Sequence, residues 1–234
     1  MRFNRRLLPF KAISFDLDDT LYHNAPVMLA TDAKMRQYFN ELLPVGEYDY
    51  HFWFRFRQQA LLENSKLIHD VGELRRKSYH LGFIALGYDS SIAGDMAQKA
   101  LDFFITQRSN FKVPEAIHKL LSQLAKKWPL VAISNGNVDT QAIGLSQYFT
   151  QIHHADLSKK QKPAPDMFAL TCQQLAIKPQ ELLHIGDCGL NDIYGATTFG
   201  CQTAWVSTYD IGKPITQLAT VELRDITELN RLLN

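Results

Sequence analysis

Three aspartates occupy positions from which their carboxylates could act together. Asp16 and Asp18 lie two residues apart, directly after the apolar run Ala12–Phe15, and Asp187 follows another apolar run. If the first strand stays regular, residues two apart point to the same side, which places two carboxylates in one small volume. Such carboxylates repel each other, so one is protonated or a cation lies between them. One could then act as an ionised nucleophile and the other as a proton-carrying acid or base.

The choice of cation follows from the ligand types. Three carboxylates around one crevice, with no nearby cluster of His or Cys, form a set of hard oxygen ligands that favours Mg²⁺. The chain has three cysteines, an odd number without the paired short spacings of a zinc site: Cys172, Cys188 and Cys201. We interpret them as reduced thiols, which suits the cytoplasm.

Strands must bring these carboxylates together, and the sequence has four short apolar runs suited to buried strands. They cover residues 12–15, 130–133, 182–185 and 203–206. Apolar residues at helical spacing lie between the runs, at 114–127, 165–176 and 190–199. This alternation predicts an α/β fold with a doubly wound, Rossmann-like parallel sheet. Ligands of such folds bind beyond the carboxyl ends of the strands, and polar residues end three of the four runs there.

The segment between the first and second runs has a different pattern. Residues 24–107 contain few short apolar runs and several helical stretches, such as 27–43 and 73–86. We therefore predict a core domain of residues 1–23 and 108–234, with 24–107 inserted as a helical cap domain. Within the insertion, residues 48–57 interleave six aromatic side chains with basic ones. This run favours a cap helix with Phe52 and Phe56 packed inward, while a ring-stacking surface is the alternative.

Composition limits the classes of partner. The net charge is +1, with 46% hydrophobic and 21% charged residues, which are ordinary values for a globular protein. No run approaches the roughly 20 apolar residues of a membrane helix, and the apolar run near the N-terminus is too short for a signal peptide. We expect a soluble cytoplasmic protein that binds neither nucleic acid nor membrane.

Four segments carry a family resemblance. Residues 15–22 (FDLDDTLY) resemble the first motif of the haloacid dehalogenase-like hydrolase superfamily, and Ser134-Asn135-Gly136 resembles the second. Residues 162–166 (KPAPD) resemble the third motif, and 186–192 (GDCGLND) resemble the fourth. The motifs occur in the expected order, and the resemblance spans essentially the whole chain.

The resemblance implies a role for each carboxylate. Asp16 would attack phosphorus in line with the departing alkoxide. Asp18 would protonate that alkoxide and then remove a proton from the water that hydrolyses the phospho-enzyme. Mg²⁺ would be held by Asp16, Asp187 and the backbone carbonyl of Asp18, where it shields the repulsion between nucleophile and phosphate. The plainer alternative is that these aspartates form polar turns and helix caps after their strands.

The resemblance also implies groups that bind the phosphate. Ser134, the backbone amide of Asn135 and the ammonium of Lys162 would hold the transferring oxygens. Asp192 would orient Lys162 or metal-bound water. The alternatives are an ordinary turn for Ser134 and Asn135, and a solvated basic loop for Lys162. Asp192 could equally be a surface helix residue, and Cys188 stands where the family more usually has Ser or Asp.

A narrower likeness concerns the substrate. The insertion matches the helical cap of the family's first cap type, which excludes water and supplies selectivity. The Met-Arg-Phe start and residues 21–24, 123–130 and 133–137 resemble enterobacterial phosphatases of flavin biosynthesis. The resemblance implies a small phosphorylated metabolite as ligand, such as 5-amino-6-(5-phospho-D-ribitylamino)uracil, flavin mononucleotide or a sugar phosphate.

Three other functions are open from the residues. A dehalogenase on this fold also uses an aspartate nucleophile, but a halide needs no proton to leave, so Asp18 and Mg²⁺ argue against it. A phosphomutase would return the phosphoryl group to substrate, and only the product distinguishes it. A non-catalytic binding or regulatory protein would have lost a catalytic carboxylate or Lys162, and none is lost.

Overall fold

A mixed β-sheet contains all four predicted strands. The computed structural model describes residues 1–209 and 217–233. Within these residues the strands are β1 Arg2–Phe3, β2 Ala12–Phe15, β3 Leu130–Ser134, β4 Gln151–His154, β5 Leu182–Gly186, β6 Gln202–Val206 and β7 Val221–Leu223. Their order across the sheet is β1-β7-β6-β5-β2-β3-β4. Each neighbouring pair is parallel except β1 and β7, which are antiparallel.

The four apolar runs are confirmed as strands β2, β3, β5 and β6. The predicted α/β fold with a doubly wound parallel sheet is confirmed, and the two-residue strand β1 adds an antiparallel edge beside β7. A strand of two exposed residues carries no periodic pattern, so its pairing depends on where the chain returns. Strand β4 was also not predicted, because Gln151 and two histidines interrupt its apolar character.

Helices surround the sheet and form the insertion. The α-helices are α1 Asn24–Leu42, α2 Tyr50–Glu63, α3 Val71–Ala85, α4 Ser90–Arg108, α5 Glu115–Leu124, α6 Asp166–Gln174 and α7 Gly195–Phe199. Short 3₁₀ helices cover Ser65–His69, Ser146–Tyr148, Pro179–Glu181 and Ile226–Leu232. A π-helical segment, Gly189–Tyr194, leads directly into α7.

The apolar spacing of the sequence explains the helices beside the sheet. Helix α5 buries its apolar residues on one face: Ile117, Leu120, Leu121 and Leu124. In α6, Met167 and Phe168 join the apolar cluster that contains Val131 and Ile133 of β3, so this helix covers one face of the sheet. Gly200 ends α7 with φ 101°, a left-handed conformation that favours glycine at a helix C-cap.

The chain divides into two compact units. The sheet unit contains Met1–Asn24, Lys112–Gly136 and Thr140–Asn234, and the helical unit contains Ala25–Phe111 and Asn137–Asp139. The predicted core range 108–234 includes residues 210–216 and 234, which lie outside the described residues. None of the described helices has the length and apolar character needed to cross a bilayer.

An aromatic cluster fills the helical unit. Trp53 lies near its centre, with ring centroids 4.3 Å from Phe39 and 5.1 Å from Tyr79. Helix α2 therefore buries Trp53 and Phe56, whereas Phe52 is only partly buried. The predicted packing of Phe52 and Phe56 is confirmed, with Phe56 buried and Phe52 partly buried against the cluster, and α2 adds the larger indole of Trp53.

Candidate active site

Three adjacent strands bring the predicted site residues to one edge of the sheet. Strands β5, β2 and β3 lie side by side and parallel, so their carboxyl ends coincide. Asp16 follows β2, Ser134 ends β3 and Asp187 follows β5. The backbone N–H of Asp16 donates to the carbonyl of Ile185 at 2.8 Å, which extends the ladder one residue beyond β2.

Asp16 is buried and paired with a lysine from a distant part of the chain. Its Oδ1 accepts a hydrogen bond of 2.7 Å from Lys162 Nζ, and the residue is 8% exposed. Among the described residues, its Oδ2 accepts no hydrogen bond. Burial raises the pKa of Asp16 well above its ordinary value; Lys162 opposes that shift, and the charges of Asp192 and Asp187 add to it.

Lys162 is held by three acceptors. Its Nζ donates to Asp16 Oδ1 at 2.7 Å, to the carbonyl of Ile133 at 2.7 Å and to Asp192 Oδ1 at 2.6 Å. Burial alone would lower its pKa, but Asp16 and Asp192 raise it, so the ammonium stays charged. The alternative of a solvated basic loop is wrong for this lysine, which is 2% exposed.

The side chain of Asn135 positions Lys162. Asn135 Nδ2 donates to the backbone carbonyl of Lys162 at 2.9 Å, and Asn135 Oδ1 accepts from its N–H at 2.7 Å. These two bonds join the loop after β3 to the loop that carries the lysine. The sequence indicated a role only for the backbone amide of Asn135. A side-chain hydrogen bond between residues 27 positions apart leaves no local pattern in the sequence.

Asp192 lies inside the sheet unit and not on its surface. It is in the π-helical segment and is 1% exposed, so the alternative of a surface helix residue is wrong. Its Oδ1 contacts Lys162 Nζ and His184 Nε2, and its Oδ2 accepts from the N–H of Cys188 at 2.9 Å. Burial opposes its ionisation, but Lys162 and His184 hold the pKa of Asp192 below the ordinary value. Cys188 contributes its backbone to this contact, so a Cys at that position leaves the bond intact.

Asp187 has a different environment. Its Oδ1 accepts from Thr20 Oγ1 at 2.8 Å, and its backbone carbonyl accepts from Trp205 Nε1 at 2.8 Å. Burial and the charge of Asp192 raise the pKa of Asp187 to about 7, against the opposing bond from Thr20. The Asp187 carboxylate is thus bonded to a side chain. Cys188, and not Asp187, caps the following helical segment.

Asp18 lies beside the loop that follows β3. Its Oδ1 accepts from the Tyr22 hydroxyl at 2.7 Å. A Cβ atom built on Gly136 would lie only 2.6 Å from Asp18 Oδ2, so this glycine permits a close approach. Ser134 Oγ accepts from the Gly136 N–H at 3.0 Å. The structure therefore brings Asp18, Ser134 and Gly136 together.

A polar pair behind the site was missed by sequence reasoning. His184 lies in β5. Its Nδ1 is 2.9 Å from Ser14 Oγ, and its Nε2 is 3.1 Å from Asp192 Oδ1. Burial lowers the pKa of His184, so it is neutral at physiological pH. The available signal was a polar residue in the middle of two apolar strands.

The carboxylates fit a divalent cation. Asp16, Asp187 and Asp192 each offer an oxygen, and these oxygens lie within 4.8 Å of one another. If all three are ionised, Lys162 alone leaves this buried group with excess negative charge, which a cation would offset. Asp192 already has both oxygens hydrogen-bonded, which leaves Asp16 and Asp187 as the better ligands. The predicted metal ligand of Asp18 is its backbone carbonyl. The side-chain carboxylate of Asp18 is not in this group of three.

Comparisons with known proteins show which family the chain belongs to. The family model described as haloacid dehalogenase-like hydrolase matches residues 10–200. The chain is 36% identical to the 5-amino-6-(5-phospho-D-ribitylamino)uracil phosphatase YigB of Escherichia coli K12, over 88% of this chain and 87% of that protein. It is 26% identical to the phosphoglycolate phosphatase of the same organism, over 88% and 84%. A 2-haloacid dehalogenase from Pseudomonas syringae pv. tomato DC3000 has a similar structure, with a TM-score of 0.88, 28% identity and coverage of 96% and 98%.

Proposed function

The chain belongs to the haloacid dehalogenase-like hydrolases and is a phosphatase, and from this premise we propose that it hydrolyses a small phosphate monoester through an aspartyl-phosphate on Asp16. The observation that carries the proposal is the buried group of Asp16, Lys162 and Asp192 at the carboxyl edge of the sheet. It combines a carboxylate that can attack with a fixed positive charge that can attract phosphate oxygens.

Asp16 is the nucleophile in this proposal. Lys162 holds Oδ1 and fixes the direction of the carboxylate, so Oδ2 is the atom that attacks phosphorus. A new Oδ2–P bond forms as the P–O bond to the alkoxide breaks, which gives the aspartyl-phosphate. The ammonium partly neutralises Asp16, which reduces the repulsion of an incoming phosphate.

Asp18 is the acid and base. In the first step it donates a proton to the departing alkoxide, and in the second it takes one from the attacking water. The hydrogen bond from Tyr22 fixes its orientation. The missing Cβ of Gly136 gives the carboxylate room beside Ser134. Water then attacks phosphorus, inorganic phosphate leaves and Asp16 is restored.

The phosphoryl oxygens are bound by Ser134, the backbone amide of Asn135 and Lys162. Ser134 is almost fully buried, so its hydroxyl does not have to reorganise as charge develops. All three N–H groups of Lys162 Nζ donate within the protein, so the lysine acts on the phosphoryl oxygens through its fixed positive charge. Asp192 keeps Lys162 in place, and His184 supports Asp192 from β5.

Asp16, Asp187 and the backbone carbonyl of Asp18 would hold Mg²⁺ in this proposal. When bound, Mg²⁺ supplies positive charge that reduces repulsion between the nucleophile and the phosphate. The support is the crowding of carboxylates and the raised pKa of Asp187, because a cation favours the ionised form that crowding disfavours. Thr20 orients the Asp187 carboxylate through its hydroxyl.

We further propose that the predicted insertion, residues 24–107, acts as a cap that selects the substrate. The preferred substrate is 5-amino-6-(5-phospho-D-ribitylamino)uracil or a related flavin-pathway phosphate such as flavin mononucleotide. The support is the 36% identity to the Escherichia coli enzyme that acts on the first compound. Dehalogenation is a weaker candidate despite the similar dehalogenase structure, since Asp18 and the carboxylate group have no task in releasing a halide.

Phosphate release tests the proposal. Purified protein is assayed with Mg²⁺ or excess EDTA against 5-amino-6-(5-phospho-D-ribitylamino)uracil, flavin mononucleotide, sugar phosphates, phosphoglycolate and a 2-haloacid. We expect metal-dependent release of phosphate, highest with the flavin-pathway compounds, and no halide. Transfer of phosphate to a second position of the substrate would indicate a mutase. No release from any compound would refute the proposed function.

Asp16→Asn tests the nucleophile. We expect turnover to fall by about a thousandfold or more, because an amide cannot form the acyl-phosphate. The matched control is Asp95→Asn, since Asp95 is an exposed residue of α4. Intact-mass measurement after mixing with substrate should show a phosphorylated form of the wild type and none of Asp16→Asn. Near wild-type turnover of Asp16→Asn would refute the assignment.

A further inference from the structure

Strand β5 carries a histidine in the buried middle of the sheet. His184 and its register partner Ser14 of β2 are both 0% exposed, and every other residue of β5 is apolar or glycine. Burying polar side chains is costly unless they are hydrogen-bonded, and an apolar pair would fill the same space without that cost. The two strands alone therefore do not explain this pair, whereas its contact with Asp192 does.

The carboxylate of Asp192 lies against β5 beside His184. A Cβ atom built on Gly186 would lie 2.2 Å from Asp192 Cγ, so the missing side chain of Gly186 makes room for this carboxylate. Gly186 comes two residues after His184, and residues two apart in a strand face the same side of the sheet. The imidazole therefore lies on the side that Asp192 covers, where its Nε2 is 3.1 Å from Asp192 Oδ1.

The partners of the imidazole determine where its proton lies. An ionised carboxylate only accepts hydrogen bonds, so His184 Nε2 carries the hydrogen that is donated to Asp192. Burial lowers the pKa of His184, so the ring is neutral and its Nδ1 has no hydrogen. Nδ1 is therefore an acceptor, and the Ser14 hydroxyl, 2.9 Å away, donates to it. Because the donor is neutral, the negative charge of Asp192 remains available to Lys162.

An aromatic contact fixes the plane of the imidazole. Phe168 of α6 packs against His184 with the ring centroids 4.9 Å apart and an angle of 81° between the rings. The imidazole is thus held by one hydrogen bond at each nitrogen and by a packed ring. It cannot rotate without breaking one of these contacts, so Asp192 Oδ1 meets a donor of fixed direction.

A series of hydrogen bonds leads from this pair to the nucleophile. Asp192 Oδ1 accepts from both His184 and Lys162. The Lys162 ammonium also donates to Asp16 Oδ1. We propose that His184 and Ser14 are positioning residues for Asp16. Ser14 orients the imidazole, which fixes the Asp192 carboxylate, and that carboxylate fixes Lys162. The inference rests on the proposed function, because it concerns the direction of the attacking carboxylate.

Two amide variants of His184 isolate its bond to Asp192. The amide nitrogen of Gln lies about as far along the side chain as Nε2 of His, so His184→Gln keeps a donor for Asp192. Asn is one methylene shorter, so His184→Asn places its amide near the position of Nδ1 and removes that donor. The matched control is Thr171→Val, because Thr171 is also 0% exposed and its hydroxyl donates to the carbonyl of Met167 within α6.

Steady-state phosphate release from 5-amino-6-(5-phospho-D-ribitylamino)uracil is the first test. We expect His184→Asn to lower kcat about tenfold or more with little change in KM, because a misdirected carboxylate impairs attack more than binding. His184→Gln should recover most of kcat, and Thr171→Val should match the wild type. Equal kcat in the wild type and His184→Asn would overturn the inference, as would an equal loss in the Gln and Asn variants.

Ser14→Ala tests the other member of the pair. It leaves His184 Nδ1 without a donor, so kcat should fall by a smaller factor, about threefold. Because Ser14 acts through His184, Ser14→Ala should add nothing to the loss in His184→Asn when the two are combined. Unchanged kcat in Ser14→Ala, or additive losses in the double variant, would overturn the inference. Ser14→Ala removes a single hydroxyl, so it tests the pair even if His184→Asn does not fold.

Nuclear magnetic resonance tests the positioning without turnover. Among the described residues Lys162 is the only buried lysine, so its ammonium hydrogens should exchange slowly with water. In substrate-free protein with ¹⁵N-labelled lysine, His184→Asn should speed that exchange about tenfold or more, whereas His184→Gln and Thr171→Val should not. Unchanged exchange in His184→Asn would overturn the inference. If the wild type releases no phosphate, the proposed function fails, and the exchange rate alone decides whether His184 holds Lys162.

Discussion

Replacing Lys162 by methionine tests how much the buried lysine contributes to the free energy of unfolding. Met has a similar length and no charge, so Lys162→Met removes the ammonium and little volume. The side chains of Lys162 and Asp192 are each 1% exposed, and that of Asp16 is 12% exposed. Solvent therefore cannot replace the lost cation, and two carboxylates remain buried beside each other.

The expected loss is large. Removing one partner of a buried ion pair costs about 3–5 kcal/mol, a large part of the roughly 5–15 kcal/mol that stabilises a typical domain. The three hydrogen bonds of Lys162 Nζ, at 2.6–2.7 Å, support the upper half of that interval. A second change, Asp192→Asn, removes one of the stranded charges. The double variant should therefore recover about 1–3 kcal/mol relative to Lys162→Met alone.

Urea unfolding followed by tryptophan fluorescence, with EDTA present, measures these free energies. The matched control is Lys160→Met, because Lys160 is exposed two residues away in the same loop. We expect the control to change the free energy of unfolding by less than about 0.5 kcal/mol. If Lys162→Met lost no more than Lys160→Met, or if Asp192→Asn added to its loss, the buried ion group would not exist in the folded protein.

Two further predictions concern metal binding and the loop after β3. The pKa of Asp187 is raised to about 7, so the folded protein keeps a proton that the unfolded chain releases near pH 4. Without metal, the stability of the folded protein therefore falls as the pH rises from about 4 to about 7. Mg²⁺ should therefore raise Tm more at pH 8 than at pH 5, and equal shifts in thermal scans at the two pH values would contradict this. Gly136→Ala, whose Cβ would lie 2.6 Å from Asp18 Oδ2, should lower kcat about tenfold or more with little effect on Tm. The control is Gly94→Ala in α4, whose Cβ would make only an ordinary contact, 3.9 Å from His80 Nδ1. Unchanged kcat in Gly136→Ala would argue against Asp18 as the acid and base.

Local patterns predicted much of the sheet unit. A short apolar run is enough to predict a buried strand, and the residues directly after the run show whether a carboxylate lies at its end. Asp16 and Asp187 could therefore be placed from neighbouring positions. The order of strands and helices predicted the α/β class, because parallel strands require crossover connections. The cap helices likewise followed from apolar spacing in α1 and α3.

Long-range side-chain contacts could not be predicted in the same way. The bond between Lys162 and Asp16 joins residues 146 positions apart, and that between Ser14 and His184 joins residues 170 apart. The residues near His184 do not indicate its bond to Ser14, and those near Asn135 do not indicate its bonds to Lys162. Both side chains would also suit a strand or a turn. The π-helical segment that turns Asp192 inward has no local signal either.

The sequence by itself determined which chemical groups stand at the ends of which strands, because strand periodicity and the residues that follow a strand are local properties. The tertiary structure alone decided that Lys162 is buried between two carboxylates, that Trp53 lies near the centre of the aromatic cluster, and that Arg75 and Asp32 line one cavity. These outcomes depend on which distant elements pack together, and burial changes the charge state and the unpaired donors of a side chain without changing its neighbours in sequence.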